Sequence, residues 1–251
     1  MSTIEIIRPD DIEKRSFEII EERLKAQNIS VPFDLPEKDK EQAPLIKSIV
    51  YRCIHTTADL DYATTLEFSY GAAGILRELI SGGADIITDT NMALTGINKN
   101  KLREFGGRVH CFMADSDVCR YAKEKGTTRA YASMKKAYSL TGLHNIFTDE
   151  EESGILPDIP KDSEDTSKNR LCKHIVYAIG NAPTALLCLH NMYLEEGYKP
   201  DFIIGVPVGF VNVVQSKELI MSTDIPYIIN RGNKGGSTVA AAIINAVLYS
   251  L

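Results

Sequence analysis

Short apolar runs alternate with stretches of helical periodicity through most of the chain after residue 84. The runs are rich in Ile and Val, which is typical of strands buried on both faces of a parallel sheet. The strand candidates are Asp85–Thr88, Val109–Met113, Ile175–Ile179, Phe202–Val206 and Tyr227–Ile229. Helical stretches separate or follow them near Asp117–Lys125, Arg129–Leu140, Pro183–Glu196, Val213–Met221 and Ser237–Tyr249. This alternation predicts an α/β fold, a doubly wound, flavodoxin-like parallel sheet of five strands with helices on both faces.

The first third of the chain has helical character. Apolar residues recur at helical spacing between Ile12 and Leu24, a second helix begins at about Glu37, and a third spans about Gly71 to Ser81. A chain of 251 residues can bury one large core. We therefore expect residues 1–251 to form a single domain with N-terminal helices, with two small domains as the alternative.

One segment interrupts the α/β pattern. Residues Thr148 to Arg170, TDEEESGILPDIPKDSEDTSKNR, are acidic, include two prolines and offer few side chains for burial. A segment of this composition buries too little apolar surface to offset the conformational entropy that it would lose on folding. We expect 148–170 to be an exposed insertion between a helix and the third strand.

Composition and charge restrict the function. The net charge of −6 argues against a general nucleic-acid binder, although a local basic pocket can still hold an anionic ligand. The sequence contains neither a signal-peptide pattern nor an apolar run of membrane-spanning length, so we expect a cytoplasmic protein. The five cysteines are widely spaced without a CxxC pair, which favours buried thiols over disulfides or a zinc site.

Three strand candidates are each followed by a glycine-punctuated turn and a helix start. The stretches are HIVYAIGNAPTAL, DFIIGVPVGFVN and PYIINRGNKGGSTVAAA. In a parallel sheet these turns emerge at one edge, where ligands bind on backbone N–H groups. Asn181, Gly209, the exposed Phe210, and the cations Arg231 and Lys234 become candidate binding residues. Because RGNKGGS is neither a Walker A loop nor GxGxxG, the turns predict an anion site but no nucleotide.

Candidates for proton transfer and further anion binding come from other stretches. Arg52 and His55 are three apart, so a helix places them on one face, where His55 can transfer a proton and Arg52 can hold an anion. Asp89 and Thr90 directly follow a strand. They can be site residues, or they can cap the helix that comes next. Arg129 at a helix start opposes the macrodipole, which hints at a ligand. We interpret the other histidines as structural, and no spacing predicts a metal site.

The same stretches resemble the precorrin-8X (cobalt-precorrin-8) methylmutase family over about Ile7 to Val247. The resemblance is carried by GNAPTAL followed by GVPVGFV, and by shorter matches. These are KRSF (Lys14–Phe17), RCIHT (Arg52–Thr56), DTNM (Asp89–Met92), TTRA (Thr127–Ala130), SK (Ser216–Lys217) and the late GGS. The spacing of the two longest motifs makes a chance match very improbable.

The resemblance implies a methylmutase of cobalamin biosynthesis. In that reaction a methyl group moves from C11 to C12 of a contracted tetrapyrrole ring, giving hydrogenobyrinate or its cobalt form, without a cofactor. The resemblance implies that His55 is the proton donor or acceptor, that Ser16, Arg52 and Arg129 contact the substrate, and that the protein is a homodimer. A large polycarboxylated macrocycle would need an apolar slot with cations at its rim, which agrees with the pattern of residues.

Two other functions remain as alternatives at this stage. A non-catalytic tetrapyrrole carrier would keep the pocket without turnover, and the presence of His55 argues against it. A flavin- or nucleotide-binding protein would need a phosphate loop after the first strand, and the sequence has none there.

Overall fold

The structure, a computed structural model, describes residues 5–29, 31, 37–141 and 174–251. The predicted acidic insertion, His144 and Cys172 lie outside the described residues. The described strands are β1 (Leu66–Phe68), β2 (Asp85–Thr88), β3 (Val109–His110), β4 (Ile175–Ile179), β5 (Phe202–Gly205) and β6 (Tyr227–Asn230). The described α-helices are α1 (Ile12–Ala26), α2 (Ala43–Thr57), α3 (Tyr62–Thr65), α4 (Ala72–Ser81), α5 (Asn91–Gly96), α6 (Lys99–Glu104), α7 (Ser116–Glu124), α8 (Arg129–Ser139), α9 (Pro183–Glu195), α10 (Val213–Met221) and α11 (Ser237–Ser250).

The sheet among these residues is mixed and has six strands in the order β1-β6-β5-β4-β2-β3. Strands β2 to β6 run parallel, with Ile87 opposite Tyr177 and Ile204 opposite Ile228. β1 pairs antiparallel with β6. The five predicted strands are present and parallel, but the prediction of a purely parallel sheet is wrong because it missed the sixth, antiparallel strand β1. β1 escaped prediction because it has only three residues and, as an edge strand, lacks a continuous buried run.

Successive residues of the strands face opposite layers of helices. Ile86, Val176 and Ile204 point into a core formed with α1, α2, α4 and α11. Ile87, Tyr177 and Ile203 point into a second core formed with α8, α9 and α10. This alternation follows from the two-residue repeat of a strand, and it explains why both residue sets are apolar. The prediction of an α/β fold with helices on both faces is confirmed.

The helix boundaries matter most where they place candidate site residues. Helix α8 begins at Arg129, as predicted, and the Thr128 hydroxyl accepts a hydrogen bond from the Tyr131 N–H at 3.1 Å. Thr90 caps α5 in the same way through the N–H of Ala93. No bounds were predicted for the short helix α5 after Thr90, α6 was not predicted, and β3 ends at His110, short of the predicted Met113.

An outer layer of helices covers α11. Helix α2 packs along α11, and α1 packs on α2. The inner side of α2 buries Ile46, Ile49 and Cys53, so the opposite side carries the polar residues of this helix. No helix in the described ranges is both long and apolar enough to span a bilayer.

Candidate active site

The three glycine turns contact one another at the carboxyl edge of the sheet. The N–H of Gly236 donates to the Val206 carbonyl at 2.9 Å, and the N–H of Gly209 donates to the Asn233 carbonyl at 3.1 Å. Gly180 lies so close to Ser237 that a Cβ there would be 2.6 Å from the Ser237 Cα. The prediction that these turns share one edge is confirmed.

Asp89 binds the first of these turns. Its buried carboxylate accepts hydrogen bonds from the N–H groups of Gly180, Asn181 and Ala182 at 2.9, 2.8 and 2.6 Å. Burial raises the pKa of Asp89, and the three N–H donors oppose that rise. The carboxylate thus occupies the position before α9 where an anion could bind. Thr90 instead caps α5, and its hydroxyl also lies 2.7 Å from that of Ser237.

The loop after β5 exposes an apolar surface at this edge. Phe210 is 90% exposed and Val211 is 79% exposed. Gly209 has a φ of +143°, a conformation that favours glycine, and it turns the chain just before Phe210. Large exposed apolar side chains mark binding surfaces when they cluster.

The two cations of the loop after β6 are already paired with carboxylates. The Arg231 Nε donates to Glu67 at 2.5 Å. The Lys234 Nζ donates to Asp59 and Asp61, each at 2.6 Å, and these two carboxylates raise the pKa of Lys234. Both side chains therefore hold the loop to neighbouring segments, in addition to any contact with an anion.

A buried lysine lies beneath the same loop. Lys217 of α10 is only 1% exposed, and its Nζ donates to the carbonyls of Gly232 at 2.7 Å and Lys234 at 2.9 Å. Burial lowers the pKa of Lys217 to about 8. Asn230 supports the loop from β6, because its Nδ2 donates to the carbonyls of Arg231 and Lys234 at 3.2 and 2.9 Å.

His55 and Arg52 lie on the same side of α2, as predicted, and both contact the ring of Phe17. The exposed His55 imidazole meets that ring edge-on at 5.8 Å, and the Arg52 guanidinium lies 5.8 Å from it. Arg52 also stacks on Tyr249 at 4.7 Å and pairs with Glu13 at 2.8 Å. Its buried Nε makes no hydrogen bond within the described part of the chain.

The neighbouring helix α1 contributes Ser16 and one wall of a groove. The Ser16 hydroxyl donates to the Ile12 carbonyl at 2.8 Å, within its own helix. A groove of about 550 Å³ runs between α1 and α2, and it includes Glu13, Phe17 and Tyr51. The groove therefore adjoins the cluster of Arg52 and His55.

Arg129 joins the carboxyl edge of the sheet. The Thr128 hydroxyl lies 2.7 Å from that of Thr184, so the starts of α8 and α9 lie side by side. Arg129 is exposed and forms no ion pair with any of the described residues. It differs in this respect from Arg52, Arg231 and Lys234.

A family model described as precorrin-8X methylmutase matches residues 11–148 and 164–250. The chain belongs to the precorrin-8X methylmutase family. Methylmutases are isomerases, and the names of the relatives place this family in the biosynthesis of the cobalamin ring, so the chain is a methyl-shifting enzyme.

Individual relatives match across nearly the whole chain. The cobalt-precorrin-8 methylmutase of Salmonella typhimurium is 37% identical over 246 residues, which are 98% of this chain and 97% of that protein. The precorrin-8X methylmutase of Pseudomonas aeruginosa is 31% identical over 238 residues, 94% of this chain and 93% of that one. The solved precorrin-8X methylmutase of Thermus thermophilus is similar with a TM-score of 0.70 at 30% identity, covering 95% of this chain and 96% of that one.

Within the methylmutase chain, the candidate residues form two groups. The sheet-edge group comprises Asp89, Thr90, Arg129, Asn181, Gly209, Phe210, Arg231 and Lys234, and the helix group comprises Ser16, Arg52 and His55. The ion pairs of Lys234 link the groups, because Asp59 lies four residues after His55. Sequence reasoning missed Asn230, and it named Lys217 only as part of the SK match without giving it a role. A usable signal for Lys217 was its helical spacing from the apolar residues Val213 and Ile220, which places it on the buried side of α10.

Proposed function

We propose that this protein moves a methyl group from C11 to C12 of precorrin-8X or cobalt-precorrin-8, giving hydrogenobyrinate or cobyrinate. The C11–methyl bond breaks and the C12–methyl bond forms within one molecule. Because substrate and product have the same composition, the reaction consumes no oxidant, reductant or co-substrate. The family match and the names of the relatives support this substrate class.

His55 is the proposed proton donor or acceptor. The observation that carries this assignment is an accessible imidazole beside the Arg52 guanidinium, with both groups placed against Phe17. An imidazole transfers protons readily near neutral pH. The neighbouring Arg52 supplies positive charge for a carboxylate of the macrocycle.

The test of this role is His55→Ala together with His55→Asn. Loss of a general acid or base lowers turnover by about 10²- to 10⁴-fold, and we expect both variants still to bind the macrocycle. His174→Ala is the matched control, because His174, just before β4, is also exposed and its partner is Asp201, just before β5. Wild-type turnover in His55→Ala would overturn the assignment.

The remaining candidate residues form the proposed substrate pocket. Phe210 offers an apolar surface to the flat ring, and Arg129, which has no ion pair among the described residues, offers its guanidinium to a peripheral carboxylate. Asp89 acts by shaping the turn that presents Asn181. The other proposed contacts are Ser16, Thr90, Gly209, Arg231 and Lys234.

Incubation with both forms of the substrate tests the function as a whole. Metal-free and cobalt-containing macrocycles present the same reacting edge, so each is offered separately and the absorption spectrum is followed. Conversion of one or both supports the proposal, and the ratio of rates identifies the physiological form. A purified, folded protein that binds both macrocycles but converts neither would overturn it.

We further propose that the protein is a single-domain, cytoplasmic homodimer with a flavodoxin-like fold. One sheet contains strands from residues 66 to 230, and its five parallel strands follow the order 2-1-3-4-5 when numbered among themselves. The exposed Phe210 and Val211 favour an additional covering surface, which a second chain could supply. Light scattering coupled to gel filtration tests the dimer.

A further inference from the structure

Lys217 is a buried charge without a counter-charge among the described residues. Its ammonium group binds only carbonyl oxygens, those of Gly232 and Lys234. Burying an ammonium group is costly, and a methionine would fill a similar volume without that cost. A lysine at this position therefore contributes something other than core packing.

The contacts of Lys217 continue to the segment that follows α2, the helix that carries the proposed catalytic histidine. Together with Asn230, Lys217 turns carbonyls of the loop 231–234 toward the interior. The Lys234 side chain extends from the same loop and donates hydrogen bonds to the carboxylates of Asp59 and Asp61. Asp59 follows the end of α2, and His55 is on the last turn of that helix.

We propose that Lys217 is a positioning residue of the methylmutase site. Lys217 fixes the loop 231–234 from beneath, and the loop fixes the end of α2 that carries His55. Lys217 itself touches neither the substrate nor His55. The proposal rests on the proposed role of His55, and it adds a residue from α10 whose charge determines the geometry of the site.

If Lys217 acts through its charge, the rate of the reaction should depend on whether Lys217 is protonated, which a role in packing alone would not produce. The ammonium makes charge-assisted hydrogen bonds to the two carbonyls, and the neutral amine makes weaker ones. Burial is the sole cause that lowers the pKa of Lys217, to about 8. The surrounding elements carry further charged or titratable side chains: Glu218 of α10, Cys188, His190, Tyr193 and Glu195 of α9, Tyr227 of β6, Arg231 and Lys234 of the loop, and Asp59, Asp61 and Glu67 opposite the loop.

The test compares Lys217→Met and Lys217→Arg with the wild type in turnover of the macrocycle. Misplacing a reacting group by about 1 Å can cost about 10²-fold, so we expect kcat of Lys217→Met to fall about 10- to 100-fold with KM changed less. Lys217→Arg keeps a positive charge above pH 8 and should restore part of kcat. The wild-type rate should fall above pH 8, and this fall should be absent in Lys217→Arg.

Lys135→Met is the matched control, because Lys135 of α8 is also buried, but its ammonium pairs with Glu196 at the end of α9 rather than with the loop 231–234. It should lose stability without losing kcat. A folded Lys217→Met with wild-type kcat would overturn the positioning role. If Lys217→Met does not fold, the pH dependence of the rate decides. A wild-type rate that does not change across pH 8, or a rate of Lys217→Arg that falls as much as the wild-type rate, would overturn the positioning role. Absence of turnover in the wild type would instead refute the proposed function.

Discussion

Replacement of Gly235 by alanine tests the contact between the loops after β5 and β6. A Cβ on Gly235 would lie 2.1 Å from the Val206 oxygen, 2.8 Å from the Val206 carbonyl carbon and 2.9 Å from the Pro207 oxygen. All three atoms belong to the backbone, so no side chain can rotate away. The two loops must separate by about 1 Å to restore an ordinary van der Waals distance.

That separation would break hydrogen bonds that join the loops. The bonds at risk are Gly236 N–H to the Val206 carbonyl, at 2.9 Å, and Gly209 N–H to the Asn233 carbonyl, at 3.1 Å. Each is worth about 1 kcal/mol, and overpacking adds about 1–3 kcal/mol. We therefore expect Gly235→Ala to lower the free energy of unfolding by about 4 kcal/mol, or Tm by about 10 °C at this chain length.

Gly232→Ala in the same loop is the control. Gly232 has a φ of +71°, but a Cβ there would meet no heavy atom within 4 Å. Its cost is therefore conformational only, about 1 kcal/mol. Urea unfolding of both variants gives the two free energies. If Gly235→Ala costs no more than Gly232→Ala, the close approach of the two loops is refuted.

Two further predictions concern charged groups. Arg129→Met should weaken binding of the reaction product by about 1.5–3 kcal/mol. Arg231→Met should weaken that binding less, because Glu67 already neutralises Arg231. Calorimetric titration of the product into both variants measures the two losses, and the reverse order would contradict this prediction. The folded pKa of Lys217, about 8, lies below its ordinary 10.5, so between these pH values only the unfolded chain holds the proton. The free energy of unfolding should gain about 3 kcal/mol from this group as pH rises through that window, and urea unfolding of Lys217→Met should lack that gain.

The strands that the sequence identified are those with continuous apolar runs. Strands β2, β4, β5 and β6 were predicted within one residue of their observed ends, because each is covered by helices on both faces. β1 could not be recognised from LEF, since Glu67 and Phe68 are only partly buried and the pairing with β6 spans more than 150 residues. The pattern of apolar residues along the chain indicates which segments are buried. The pairing of an antiparallel edge strand depends instead on which distant segment the tertiary fold places beside it.

The site shows the same division between local and long-range information. Glycine turns and the spacing of Arg52 and His55 are local, and the structure places them as expected. The partner of Asp89 is a turn 91 residues later, and the partners of Lys217 lie on a different loop. A sequence supplies the chemical type of such a residue but not the group that it meets, so Asp89 remained ambiguous and Lys217 was named in a motif without a role.

The ion pairs around the pocket determine how strongly each cation can attract a polycarboxylate. A substrate carboxylate that approaches Arg52 must displace Glu13 or share the guanidinium with it, and one that approaches Lys234 competes with two aspartates. Exchanging one carboxylate for another gains little net electrostatic energy. Arg129 has no ion pair to break among the described residues, so none of their carboxylates competes there with the substrate. The attraction for the macrocycle is therefore expected to be concentrated near the start of α8, while Lys234 mainly holds the loop against the segment that follows α2, the helix that carries His55.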